Sequence, residues 1–443
     1  MSTKNTSLIF TLINLMAVAV VFLGWWPVPG NYFLLKPVLF CAIAVLCLFM
    51  LPTGEVRINR RSLVVYAAFA AWVVLADALS GEFVPALARD VHWLILPLLV
   101  ILYSQLFAKS EDALKVLQVA VALSLVVICY RLIDSADSVF NWVLPPIFGN
   151  IRHLAMTVGL MSVFLYYDVG YRQTEKWLFV LARIIGLGLV FWSGSRASML
   201  AWALAFFLII LGTDQRSKWR GWCLEVSAAI ALALLLDVGN PSMGFLNAFF
   251  RQWSSGSMDG ISSGRLTLWL KTIDALRDPY TMFFGAGGNG FVRLQLMWDA
   301  QSFQPHNIIL QVLSDWGVGG FLLLVLLVKQ GTSGRLAWKA SKDGKAVLGV
   351  ALMAFLLVIG LLDAGLYHLQ YLFFAAIAFA LIAKPVDHGA HDGMASIKRI
   401  CVPRLGIAAL LLAAMFLHWT VRNYRADWPV SPLNQPYVAP HRG

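Results

Sequence analysis

Charge is what this sequence has least of. Only 13% of its 443 residues are Asp, Glu, Lys or Arg, about half the share found in ordinary soluble domains. A soluble chain of this length would fold as two or three charged-surface domains, so a soluble enzyme and a disordered protein are both excluded. Cysteine is also sparse. Cys41, Cys47, Cys129, Cys223 and Cys401 lie in or beside apolar runs, and none falls between residues 239 and 305. That excludes a disulfide scaffold and a cysteine metal site. Alternating ten-residue segments, the signature of an outer-membrane barrel, are missing too.

What is present in excess is hydrophobic length. Hydrophobic residues make up 60% of the chain, enough for roughly a dozen spans of about 20 residues. The first run, Leu8 to Trp26, is too long for a signal-peptide core and reads as a retained span. Further runs begin near Phe33, Ser62, Trp93, Val116, Leu154, Trp177, Ala197, Cys223, His306, Ala346, Leu369 and Leu405. The expected fold is an all-α polytopic membrane protein with about 12–13 transmembrane helices. N-terminal helices fill residues 1–238, one long loop residues 239–305, C-terminal helices residues 306–419, and a short tail residues 420–443.

The net charge of +11 is no sign of nucleic acid, because membrane proteins concentrate Lys and Arg in their cytoplasmic loops. With the N-terminus inside, segments 1–6, 52–61, 108–115, 168–176, 212–222, 329–345 and 383–404 face the cytoplasm. These 83 residues hold 20 of the 34 Lys and Arg, and the other 360 hold 14. The bias is about sixfold, as the positive-inside rule requires. The 239–305 loop then faces outward. Within it, Ser262 or Ser263 is expected to cap an amphipathic helix running to about Leu276, with Leu266, Trp269, Leu270 and Ile273 on a face suited to the membrane surface.

Several outward-facing segments carry polar chemistry. Ser193-Gly194-Ser195-Arg196 is a short turn between two apolar spans. An Arg there needs water or an anion, and small residues around it let backbone N–H groups approach a phosphate. Arg265 follows in the long loop. Gly285-Ala286-Gly287-Gly288-Asn289-Gly290 formally matches a dinucleotide-binding pattern, but no βαβ context surrounds it, so a tight turn is expected. His306, preceded by Pro305, opens an apolar run and is the one histidine in or adjoining the loop. An imidazole titrates near pH 6.5 and suits proton transfer. Asp315, farther along that run, is placed to orient neighbours or pair with an Arg. Arg152 and His153, after the Pro145-Pro146 turn, add basic groups to an outer cavity. Tyr367-His368 reads as interfacial, and His388 and His391 as a solvated loop.

In order, spacing and shared face, these segments resemble the O-antigen ligase and polymerase superfamily of bacterial inner-membrane glycosyltransferases, which includes protein O-oligosaccharyltransferases. The resemblance covers about residues 190–325. It implies a GT-C-like enzyme of the inner membrane, with its site facing the periplasm, that takes a glycan from undecaprenyl pyrophosphate. By position, Arg196 and Arg265 would bind the pyrophosphate and His306 would be general base, with Ser195, Arg152, His153 and Asp315 in support. The chemistry implied is inverting and needs no metal or other cofactor. The expected partners are the lipid-linked donor, membrane lipids and an acceptor, with lipid A–core oligosaccharide as first choice. A protein hydroxyl and a growing glycan are the alternatives. A lipid-linked glycan transporter is the reading from a different class.

Overall fold

The computed structural model describes residues 55–109, 111–134, 150–167, 173–213, 218–236, 264–294, 304–332, 343–363, 366, 368–383 and 394–398. Ten of the thirteen expected runs appear there as helices. They are α1 (Arg60–Leu79), α2 (Phe83–Lys109), α3 (Glu111–Asp134), α4 (Ile151–Phe164), α5 (Gln173–Trp192), α6 (Arg196–Gly212) and α7 (Trp219–Leu235), then α11 (Ile308–Thr332), α12 (Gly344–Leu362) and α13 (Leu369–Ile382). The loop contributes the short helices α8 (Arg265–Ala275), α9 (Pro279–Phe284) and α10 (Gly290–Arg293). The runs near Leu8, Phe33 and Leu405, the C-terminal tail, and His388 and His391 lie outside the described residues.

Five of these helices are long and apolar enough to cross a membrane: the stretches Arg60–Leu79, Phe83–Phe107, Asp112–Ile133, Ile308–Gly331 and Gly344–Leu362. Three shorter apolar helices accompany them. The chain is an all-α, multi-pass membrane protein. A two-stranded antiparallel ribbon is its one departure among the described residues. Strand β1 (Glu55–Asn59) pairs with β2 (Met394–Lys398), Glu55 opposite Lys398 and Asn59 opposite Met394. Both strands fall in segments that the charge bias assigns to the same side.

The bundle packs α12 against α6 and α13, α13 against α2, α5 against α7, and α11 against α1. Its interior is aliphatic and aromatic, from Phe69 and Tyr103 through Phe164 to Phe355 and Tyr371. An ion pair interrupts it. Arg183 on α5 forks onto Glu225 of α7, through Nε to Oε2 at 2.8 Å and Nη2 to Oε1 at 2.6 Å. It also donates to the Leu165 carbonyl at 3.1 Å and lies 4.9 Å above the Tyr166 ring. Removing one partner strands the other charge in the apolar interior, at a cost of about 3–5 kcal/mol. Arg183→Ala is therefore expected to lower the thermal midpoint in detergent markedly. The Arg183→Met, Glu225→Leu pair, which leaves no orphan charge, is expected to be much milder.

The long loop is fastened to α11 by an exchange of backbone groups. Helix α11 is broken at Gly317, whose φ of 62° and ψ of −169° are not helical. The half-helix ending at Trp316 presents carbonyls that its own backbone no longer satisfies. Ala286 N–H donates to Ser314 O and Gly287 N–H to Asp315 O, both at 2.8 Å, and Trp72 Nε1 donates to Trp316 O at 2.9 Å. The glycine turn gets this close because Gly285, at φ 75°, has no Cβ; one placed there would overlap the Asp315 carbonyl. Gly317 is equally constrained against the Phe283 carbonyl. The expected tight turn is thus a docking turn.

Three buried carboxylates finish the attachment. Asp77 of α1 accepts from Gly288 N–H at 2.8 Å, and Asp315 accepts from Gly290 N–H at 2.6 Å. Asp90 of α2 accepts from the Trp316 indole at 2.5 Å. Phe291 then packs on Leu268 of α8. Arg265, at the start of α8, is in this way tied to the half-helix that follows His306.

Helix α8 starts differently from the serine-capped expectation. Its N-cap is Gly264, in the left-handed region at φ 79° and without a side-chain cap; Ser262 and Ser263 lie outside the described residues. The left-handed φ is what favours glycine, since space around a Cβ there is open. Leu268 and Thr272 face inward, whereas Leu266, Leu270 and Ile273 are exposed and Trp269 is half-buried.

Candidate active site

The polar cluster forms where the starts of α4, α6, α8, α11 and α13 meet the end of α12. At its centre is Asp363, the residue that ends α12. Its Oδ1 lies 2.8 Å from His306 Nδ1 and its Oδ2 lies 3.1 Å from Arg265 Nη2. The Asp363 side chain is 5% exposed, against 18% for Arg265 and 24% for His306. The carboxylate is thus an internal anchor, and the two basic groups project from it towards the accessible side.

Local structure explains why His306 is held so firmly. Asn307 Oδ1 accepts from the N–H groups of Ile309 and Leu310 at 3.0 and 3.1 Å, capping α11, while its Nδ2 donates to Leu361 O at 3.1 Å. Trp269 Nε1 donates to Pro305 O at 2.8 Å on the other side. Between these anchors His306 adopts φ 53°, a left-handed conformation uncommon outside glycine though less so for His. The ring is aimed by backbone, cap and carboxylate together.

The electrostatics favour an anion. Burial pushes the Arg265 guanidinium below its ordinary range; Asp363 opposes that, and the charges of Arg152 and Arg196 reinforce it. Burial pushes the Asp363 carboxyl up, but the hydrogen bond and charge of His306, with Arg265 and His153, outweigh it and hold the group well below the usual carboxylate range. Asp363 therefore stays ionised and can only accept. The proton between them then sits on His306 Nδ1. One arginine and two histidines act on that carboxylate, and the charges of Arg152 and Arg196 bear on Arg265.

The residues singled out from sequence are distributed as follows. His306, Arg265, Arg196, Arg152 and His153 belong to this one electrostatic neighbourhood. Ser195 is the N-cap residue of α6, its hydroxyl 2.9 Å from that of Ser198. Asp315 does not join them; it sits with the docked glycine turn and takes Gln311 Nε2 at 3.1 Å. Asp363 was not foreseen. The signal available was its position as the only acidic residue between Asp343 and Asp387, at the end of a strongly apolar helix. His368, read from sequence as interfacial, lies instead with its ring centroid 4.3 Å from that of His153.

A multi-pass helical bundle with a basic, histidine-containing polar cluster at one end defines a membrane protein with a site suited to an anionic group. Residues 181–325 match the family model described as O-antigen ligase, which supports membership of the O-antigen ligase-like superfamily. No curated protein matches the chain. The matched segment holds Arg196, Arg265 and His306 and stops before Asp363. Members of the family are glycosyltransferase-like enzymes acting on lipid-linked glycans and acceptors in a membrane, with ligase and polymerase functions among them.

Proposed function

We propose that this protein is an inverting, metal-independent glycosyltransferase of the bacterial inner membrane. It transfers a glycan from undecaprenyl pyrophosphate to a hydroxyl of lipid A–core oligosaccharide on the periplasmic face. The observation that carries the reading is the single carboxylate of Asp363 holding both a histidine and an arginine, 2.8 and 3.1 Å away, with the charges of Arg152 and Arg196 bearing on that arginine.

Each group has a task that its environment suits. His306 Nε2 takes the proton of the acceptor hydroxyl as the oxygen attacks the anomeric carbon. The bond from that carbon to the pyrophosphate oxygen breaks, and its electron pair leaves on the phosphate. Arg196 and Arg265 stabilise the developing charge through fixed N–H donors, which in a site sheltered from water is worth more than in solution. Asp363 stabilises the imidazolium formed on His306. One displacement inverts the anomeric centre.

Purified full-length protein in detergent, given an undecaprenyl-pyrophosphate-linked glycan and lipid A–core, is expected to form the conjugate covalently. Arg196→Lys and Arg265→Lys are each expected to lose most of the rate at normal protein levels, because a point charge does not replace a planar fork. Transfer only to a serine or threonine of a pilin would reassign the acceptor. Failure to transfer to any hydroxyl, with glycolipid translocation in vesicles, would sink the enzymatic reading.

A further inference from the structure

His153 and His368 are contributed by different helices yet meet edge to face, with ring centroids 4.3 Å apart and planes at 73°. His153 lies in the first turn of α4, and His368 is the N-cap residue of α13 with no side-chain cap bond. The arrangement is built, since Tyr371 of α13 donates its hydroxyl to the His153 carbonyl at 3.1 Å and accepts from Thr157 of α4 at 3.3 Å. The His153 charge bears on Asp363, so the pair adjoins the His306 and Arg265 anchor. Both residues are half-buried.

The chemistry of the leaving group gives the pair a task. Arg152 and Arg196 bear on Arg265, which pairs with Asp363, so positive charge is gathered beside the pair. A pyrophosphate esterified at both ends carries two negative charges. Breaking the sugar–phosphate bond leaves a pyrophosphate esterified at one end only. Its freed oxygen brings a third negative charge, on a group that titrates at about pH 6.

We propose that His153 and His368 form a subsite for the leaving pyrophosphate, donating ring N–H bonds to the oxygen freed when the glycosyl bond breaks. The proposal rests on the glycosyl-transfer reading above and extends it to two residues with no role there. Because the charge they meet grows during the reaction, the pair acts on the transition state and product more than on the donor. His306 remains the base on the acceptor side, and the two histidines face the departing side.

The test is a kcat against KM comparison on full-length protein in detergent, together with binding of undecaprenyl pyrophosphate as the product probe. His153→Ala and His368→Ala are each expected to lower kcat and product affinity by about tenfold or more, the usual worth of a hydrogen bond to a charged group. KM for the donor should move less than about threefold, the signature of an interaction made in the transition state alone. His368→Gln, which keeps an N–H donor, should recover much of the loss. A merely structural role would move donor and product affinity together, and that result overturns the proposal, as do wild-type values in both alanine variants. Independently of any variant, undecaprenyl pyrophosphate should protect His153 and His368 of the wild-type protein from diethyl pyrocarbonate, read by mass spectrometry. Unchanged modification with the probe bound also overturns it. Absence of probe binding by wild type would sink the pyrophosphate-donor reading itself, and the subsite with it.

Discussion

Replacing His306 with alanine is expected to lower glycan transfer by about 10²–10⁴-fold, the usual contribution of a general base, with little change in donor binding or fold. The ring contributes two things: a basic Nε2, and an Nδ1 hydrogen bond to Asp363 at 2.8 Å. Alanine removes both and also has to sit at φ 53°, where an L-residue pays about 1–2 kcal/mol. Asparagine separates the effects, because it tolerates the left-handed region but cannot accept a proton at neutral pH. His306→Asn should therefore be as inactive as His306→Ala while recovering any lost thermal stability. Wild-type activity should fall towards acid, since an imidazolium has no lone pair to offer. A histidine that merely bound phosphate as a cation would give the opposite trend. Turnover above about a tenth of wild type in both variants would be a smaller loss than a missing base causes, and the assignment would fail.

How far the sequence reaches is clearest at this site. Arg196 and His306 were legible because each breaks a local rule: a guanidinium in a two-span turn, and a lone imidazole at the mouth of an apolar run. A charged or titratable group set beside apolar runs calls for water or a polar partner. Asp363 broke a rule too, but its partners lie 57 and 98 residues away in sequence, and periodicity says nothing about contacts at that range. The fold shows the same division. Hydropathy alone located the helices, since a span is a local property of about 20 residues. The break at Gly317 inside Trp316-Gly317-Val318-Gly319-Gly320 was hidden by that same hydropathy, because a broken apolar helix is as apolar as a straight one. Asp77 and Asp90 were also passed over. Their partners are backbone N–H groups of a glycine turn 211 residues from Asp77 and the indole of a tryptophan 226 residues from Asp90. The amphipathic loop helix was read correctly in extent, whereas its cap was misread because a left-handed glycine leaves no hydrogen-bonding signature in sequence.

Asp363→Asn is the sharpest test of whether this carboxylate serves the chemistry or the fold, and its expected effect is a loss in kcat of about 10²–10⁴-fold. The native carboxylate can only accept, which fixes the proton on His306 Nδ1 and leaves Nε2 basic. An amide in its place can present N–H to Nδ1, and the ring then carries its proton on Nε2, where it cannot act as base. The stabilisation of the imidazolium is lost as well. Donor binding is expected to move the other way. Arg265 keeps a neutral acceptor but loses its counter-charge, so more of its positive charge acts on the pyrophosphate, and KM for the donor should stay level or fall. A carboxylate that only pinned α12 to the loop would instead cost thermal stability and raise KM when replaced. Asp363→Glu restores the charge one methylene out of place and should recover part of kcat while returning KM towards its original value. If the asparagine variant keeps kcat within tenfold of wild type while its thermal midpoint drops, Asp363 is a structural pin, and the orientation of His306 rests on Asn307 and the backbone alone.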